Sequence, residues 1–273
     1  MNILVTVAVC GFALVLLWAV QSVVLAFAGE PLALPLRYTT RRPVVRWSSR
    51  VMIQLAWLII VFGIPFMLGM DLHEVVHRAF PRPVPWRSVA IGFLVIFLPF
   101  LAAFAFYIKV GWVRIVPRFD AATRRGKLLR RFLTPLPLAT AEEAVFRGTI
   151  LDQLLQWLPQ SLAFSVLAVV ISALSFSSVH FIRRQPQSKP VWQQAYGFFL
   201  AGCLFGVAYI VGGRNLWLPI PVHATAILMI EIERLYCQFT GPRWLTGFAE
   251  SPYSGLIGNV AIVGMAIALV ILV

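Results

Sequence analysis

The sequence predicts an all-α fold, a polytopic transmembrane helical bundle of about eight membrane helices, and three observations carry that prediction. Of the 273 residues, 60% are hydrophobic and 12% are charged, with mean hydropathy +0.86; a soluble domain carries about 25% charged residues. The apolar residues come in blocks near the roughly 20 residues that cross a ~30 Å hydrocarbon core as a helix. The blocks also lack the alternation of barrel strands, and only helices and closed barrels satisfy every backbone group in lipid.

The first block, Ile3–Ala28, has no charged leading region and exceeds the apolar core of a signal peptide. Although Ala26-Phe27-Ala28 resembles a cleavage site, the block reads as a retained anchor. Val51–Met70, Val89–Val110 and Phe132–Leu158 follow, then Leu162–Ile182, Ala195–Gly212, Leu216–Tyr236 and Gly255–Val273. Pro81-Arg82-Pro83 marks a loop, and Pro135-Leu136-Pro137 marks a helix start or kink. With no internal repeat or low-complexity tract, residues 1–273 read as a single integral membrane domain.

The net charge of +13 and pI near 10.8 raise nucleic acid as a partner, but the placement of the charges excludes it. Arg37, Arg41, Arg42, Arg46 and Arg50 follow the first block, and a second basic run, Lys109 to Arg131, follows the third and includes Arg114, Arg118 and Arg124. This is the excess that cytoplasmic loops carry beside anionic headgroups, so the partner is the lipid bilayer. The Arg183, Arg184, Lys189 loop falls on the same side, which puts the N-terminus outside; the Arg78, Arg82, Arg87 loop dissents. Cys10, Cys203 and Cys237 lie in or beside apolar blocks without metal-like spacing, and read as small buried hydrophobes.

Ionisable groups at membrane depth cost several kcal/mol and by default face a cavity or a partner. The fourth block holds Glu142, Glu143 and Arg147. Glu143 and Arg147 are four apart, share a helix face and can pair. Glu142 points about 100° away and is the freer carboxylate, suited to handling protons. An interhelical ion pair that only holds the bundle together is the alternative. Phe176 and His180 share a face near the end of the fifth block, and His223 lies about two turns into the seventh. A carboxylate and an imidazole from different helices can activate a water, and a second imidazole can steady an oxyanion or complete a metal site.

Glu142-Glu143-x-x-x-Arg147, then Phe176-x-x-x-His180, then the Gly-rich helix Phe198–Tyr209 leading into Leu216-Trp217-x-Pro219-Ile220-x-x-His223 resembles the CPBP family. Its members are the CAAX-protease and bacteriocin-processing intramembrane endopeptidases, relatives of the Rce1-like prenyl protease. The similarity covers roughly residues 130–230, which it implies are a catalytic core. By that resemblance Glu142 activates the attacking water, with Glu143 and Arg147 supporting it. His180 helps position or deprotonate the water and His223 stabilises the oxyanion. The resemblance also implies a membrane-associated peptide or protein substrate, prenylated or leader-type, while the small size and the strong arginine bias point to a bacterial inner membrane. Glu142, His180 and His223 could ligate zinc or work without metal. The chain departs from the family at Ile227, where the family carries Asn or Asp; Thr225 and Asn259 are the nearby polar side chains. A missing oxyanion donor costs about two to three orders of magnitude in rate, so a silent membrane scaffold or a transporter-like protein is the alternative class.

His73-Glu74-Val75-Val76-His77 matches HExxH, in which imidazoles at i and i+4 bind zinc and the glutamate acts as base. On that reading Glu142 or Glu143 supplies the third ligand. The topology opposes it, since the motif sits at the external face while Glu142 lies about 15 Å in from the other.

Overall fold

The computed structural model describes residues 2–30, 42–117, 119–183, 191–247 and 254–273. Arg37, Arg41, Arg118, Arg184 and Lys189 of the basic loops lie outside the described residues, as do the side chains of Arg46, Arg50 and Arg183.

Two long helices, α1 (Asn2–Ala28) and α2 (Pro43–Met67), pack along each other. The short α3 (Leu72–Ala79) is capped by Asp71, which accepts from the backbone N–H of His73 at 2.9 Å, and it buries none of its residues. After α4 (Trp86–Lys109), strand β1 (Val113–Ile115) pairs antiparallel with β2 (Cys237–Phe239), setting Arg114 opposite Gln238. This small sheet ties the end of α4 to the end of α10 (Pro219–Tyr236).

The basic run predicted as loop contains a helix, α5 (Ala121–Leu133). Asp120 caps it, accepting from the Thr123 N–H at 2.9 Å, and the hydrogen bonds from Thr123 hold that carboxyl below its ordinary pKa. Leu129, Phe132 and Leu133 are exposed on it among the cations, the composition of a helix lying at a membrane surface. Its charge density, not its periodicity, dominates a sequence reading of this segment. Arg131 anchors it to α10 through Glu231 at 3.0 Å.

The fourth predicted block begins later and is interrupted. A new helix, α6 (Pro135–Val145), starts at a proline whose missing N–H is harmless in a first turn. It passes into a π-helical turn, Phe146–Leu151, and continues as α7 (Asp152–Trp157). Thr149 donates its hydroxyl five residues back to the Ala144 carbonyl, and Ser172 donates to the Phe146 carbonyl, both at 2.9 Å, so groups displaced by the wider turn are satisfied.

Then come α8 (Leu162–Arg183), α9 (Val191–Val211), α10, the single turn α11 (Arg243–Thr246) and α12 (Leu256–Leu272). Gly202 and Gly206 bring α9 against α8; a Cβ at Gly202 would lie 2.9 Å from Ala173 Cα, and one at Gly206 2.9 Å from Val169 Cγ1. Small residues four apart allow such backbone approach in membranes.

The protein is thus an all-α integral membrane bundle. Among the described residues five helices are long and apolar enough to span a bilayer: α1, α2, α4, α8 and α9. Of the other three predicted spans, α6–α7 is interrupted by the π turn, α10 carries Glu231, Glu233 and Arg234, and α12 is 17 residues, about 26 Å long. One core cluster draws Leu17, Trp57, Ile96, Phe146, Phe205 and Met265 from six different segments. Outward, Phe27 (90% exposed) and Ile271 (75%) present bare apolar surface of the kind lipid covers.

Candidate active site

Three of the residues singled out from the sequence meet around one carboxylate. Glu142 on α6 places Oε2 3.5 Å from His180 Nε2 on α8 and 3.7 Å from His223 Nε2 on α10. All three line a cavity of about 300 Å³ between α4, α9, α10 and α12. Most of its wall is apolar, with Ile96, Phe100, Leu138, Leu204, Ile230 and Met265 among the lining.

The two imidazoles are held from behind in the same manner. His180 Nδ1 lies 2.9 Å from the Phe176 carbonyl, which can only accept, so Nδ1 carries the proton. His223 Nδ1 lies 2.7 Å from Glu143 Oε1, and donates to that carboxylate. Each ring therefore turns its Nε2 toward Glu142. Aromatic rings fix the planes: Phe205 stacks on His223 at 4.3 Å between centroids, and His180 lies 4.3 Å from Phe176 and 4.5 Å from Phe198.

Glu143 and Arg147 pair as their spacing predicts, at 3.1 Å, with neither side chain exposed. The pair does more than close a charge balance. Arg147 also donates to the Gly202 carbonyl at 2.9 Å and rests over the rings of Phe176 and Phe205, 4.9 and 5.1 Å away. It thereby joins the π turn to α9, while its partner Glu143 orients His223. The Glu143–His223 contact, Phe198 and Phe205 were not anticipated from the sequence. A signal for the phenylalanines existed in the aromatic run of the Gly-rich helix.

Ile227 lines the cavity one turn beyond His223, whereas Thr225 and Asn259 do not. Asn259 Oδ1 is buried on α12 without a hydrogen-bond partner.

The HExxH residues sit elsewhere. His73 and His77 are exposed on α3 and line a different cavity beside Phe80, Arg82 and Trp217. Glu74, the base of that motif, is tied to Arg78 at 2.9 Å. Neither Glu142 nor Glu143 lines this cavity, so the third ligand that reading required is not supplied by them. Beneath α3, Asp152 gathers the Tyr209 hydroxyl at 2.9 Å and Arg214 at 2.6 Å, a clamp between α7 and the α9–α10 turn that the sequence did not reveal.

Among the described residues no three His, Cys, Asp or Glu side chains converge as a preformed metal cage. In the Glu142, His180, His223 group the carboxylate lies 3.5 and 3.7 Å from the two imidazoles.

No curated protein and no solved structure matches the chain significantly. A family model does: residues 125–229 match Rce1-like, the type II CAAX prenyl endopeptidase family. The matched stretch runs from α5 through the first half of α10 and contains Glu142, Glu143, Arg147, His180 and His223. Over that stretch, which is less than half of the chain, the protein is similar to the Rce1-like type II CAAX prenyl endopeptidases.

Proposed function

We propose that this protein is an intramembrane endopeptidase that hydrolyses membrane-associated peptides, prenylated or leader-type, with a water activated by Glu142. One observation carries the reading: a buried carboxylate faces two imidazole Nε2 atoms in the wall of a largely apolar cavity. A water between these groups would be oriented by the lone pairs of His180 and Glu142. Its oxygen attacks the scissile carbonyl while its proton passes to Glu142 Oε2. His223, carrying a proton on each ring nitrogen at that stage, donates Nε2–H to the developing oxyanion while Nδ1–H stays on Glu143. Collapse of the tetrahedral intermediate breaks the C–N bond, and Glu142 returns its proton to the leaving amine.

The silent-scaffold alternative expects Glu143 and Arg147 to neutralise each other and the two histidines to point apart. The first half of that expectation is met, but both imidazoles face the same carboxylate, which favours the enzyme. The basic α5 on the cytoplasmic side, the N-terminus outside and a bacterial inner membrane complete the proposal.

The test reconstitutes the protein into liposomes with a peptide library that includes prenylated C-terminal sequences, and reads new termini by mass spectrometry. Glu142→Gln and His223→Ala should each lower cleavage by about 10²–10⁴-fold, while His73→Ala stays near wild type. Cleavage that survives Glu142→Gln, or that disappears with His73→Ala, refutes the proposal.

A further inference from the structure

The active-site cavity has a second polar end. Ten residues beyond His223 on α10, about 15 Å along the helix, Glu233 lines the same cavity. It is 5% exposed, and its Oε2 has no hydrogen-bond partner. Arg234 is near enough to act on the Glu233 charge, and it also pairs with Glu231, which points to the same cavity and receives Arg131 at 3.0 Å. Tyr107 of α4 also lines this cavity, and Phe104 lies a turn away on the same wall. A buried carboxylate left short of hydrogen bonds is costly. A carboxylate beside aromatic faces is also the chemistry that receives an ammonium or guanidinium.

We propose that this end of the cavity is a subsite for a basic side chain of the peptide substrate, held by Glu233 against Tyr107. The inference rests on the endopeptidase reading for the identity of the ligand. An extended peptide advances about 3.3 Å per residue, so 15 Å places the lysine or arginine four or five residues from the scissile bond. Glu233 is then a specificity-determining residue, remote from the reacting atoms.

The experiment uses the full chain in liposomes and a prenylated peptide series in which one lysine is moved residue by residue from the scissile bond. Each peptide has a norleucine counterpart of the same shape without the charge. Cleavage rates are measured with wild type and Glu233→Gln, and binding is measured in the Glu142→Gln background with and without Glu233→Gln. Lysine should be preferred over norleucine at least about tenfold at the fourth or fifth residue, and Glu233→Gln should bring that ratio to about one. Glu233→Lys should turn the preference toward glutamate at the same position. Cleavage without a lysine preference, or a preference that survives Glu233→Gln, overturns the subsite and leaves the endopeptidase reading standing. Lysine binding that depends on Glu233 with no cleavage does the reverse. Absence of both binding and cleavage across the series overturns the two together. Thermal melting keeps misfolding apart from these outcomes, because removing a poorly satisfied buried charge should leave Glu233→Gln at least as stable as wild type.

Discussion

Replacing Arg147 with leucine separates what the buried ion pair does for the fold from what it does for chemistry. Leucine keeps much of the apolar stem that packs against Phe176 and Phe205, and removes the cation. Glu143 is then left with no exposed surface, with Oε2 already lacking a hydrogen-bond partner and Oε1 held by His223 alone. The Gly202 carbonyl loses its donor as well. Removing one member of a buried pair costs about 3–5 kcal/mol, against about 1 kcal/mol for an ordinary hydrogen bond. The charge therefore dominates, and at about 2–4 °C per kcal/mol the melting temperature should fall on the order of 10 °C. Melting in a mild detergent, followed by tryptophan fluorescence, measures it. The double variant Glu143→Leu/Arg147→Leu removes both charges and should recover most of the loss, because apolar replacement of a whole buried pair is often neutral or better. It should still be inactive, since His223 no longer has the carboxylate that orients its ring. An Arg147→Leu protein within about 1 kcal/mol of wild type, or a double variant no more stable than the single one, would refute this reasoning.

Three further outcomes follow from the same geometry. Ile227→Asn introduces a donor on the cavity wall one turn from His223 and should raise turnover by up to about 10²-fold; unchanged or lower turnover in a folded variant shows that the wall there does not face the oxyanion. Gly202→Val drives a side chain into Ala173, whose backbone cannot yield, and should destabilise by about 1–3 kcal/mol, while Gly264→Ala, with no atom within 4 Å, should cost little; equal melting temperatures would dismiss the close α8–α9 contact. With Glu142 acting as the base, activity should persist after treatment with phenanthroline; loss reversed by added zinc would assign Glu142, His180 and His223 to a metal instead.

Much of the architecture was legible in the chain because apolar blocks and helical spacing are local properties. The Glu143–Arg147 pair and the shared face of Phe176 and His180 follow from a separation of four, and both are present. Residues on three separate helices could be nominated together because their types suit one reaction and because their order resembles a family. The π turn, the amphipathic α5 and the β1–β2 clasp were not legible: each is a local departure stabilised by distant partners such as Ser172, Glu231 and Gln238. The same holds for function. Sequence spacing cannot say that His223 reaches back 80 positions to Glu143, that His180 and His223 turn the same nitrogen toward Glu142, or that Glu233 shares their cavity. Composition and period determined that the chain is a membrane bundle with charges inside it. Only the packing of α6, α8, α9 and α10 decided which of those charges meet, because hydrogen bonding acts over about 3 Å and depends on where helices cross rather than on where they lie in the chain.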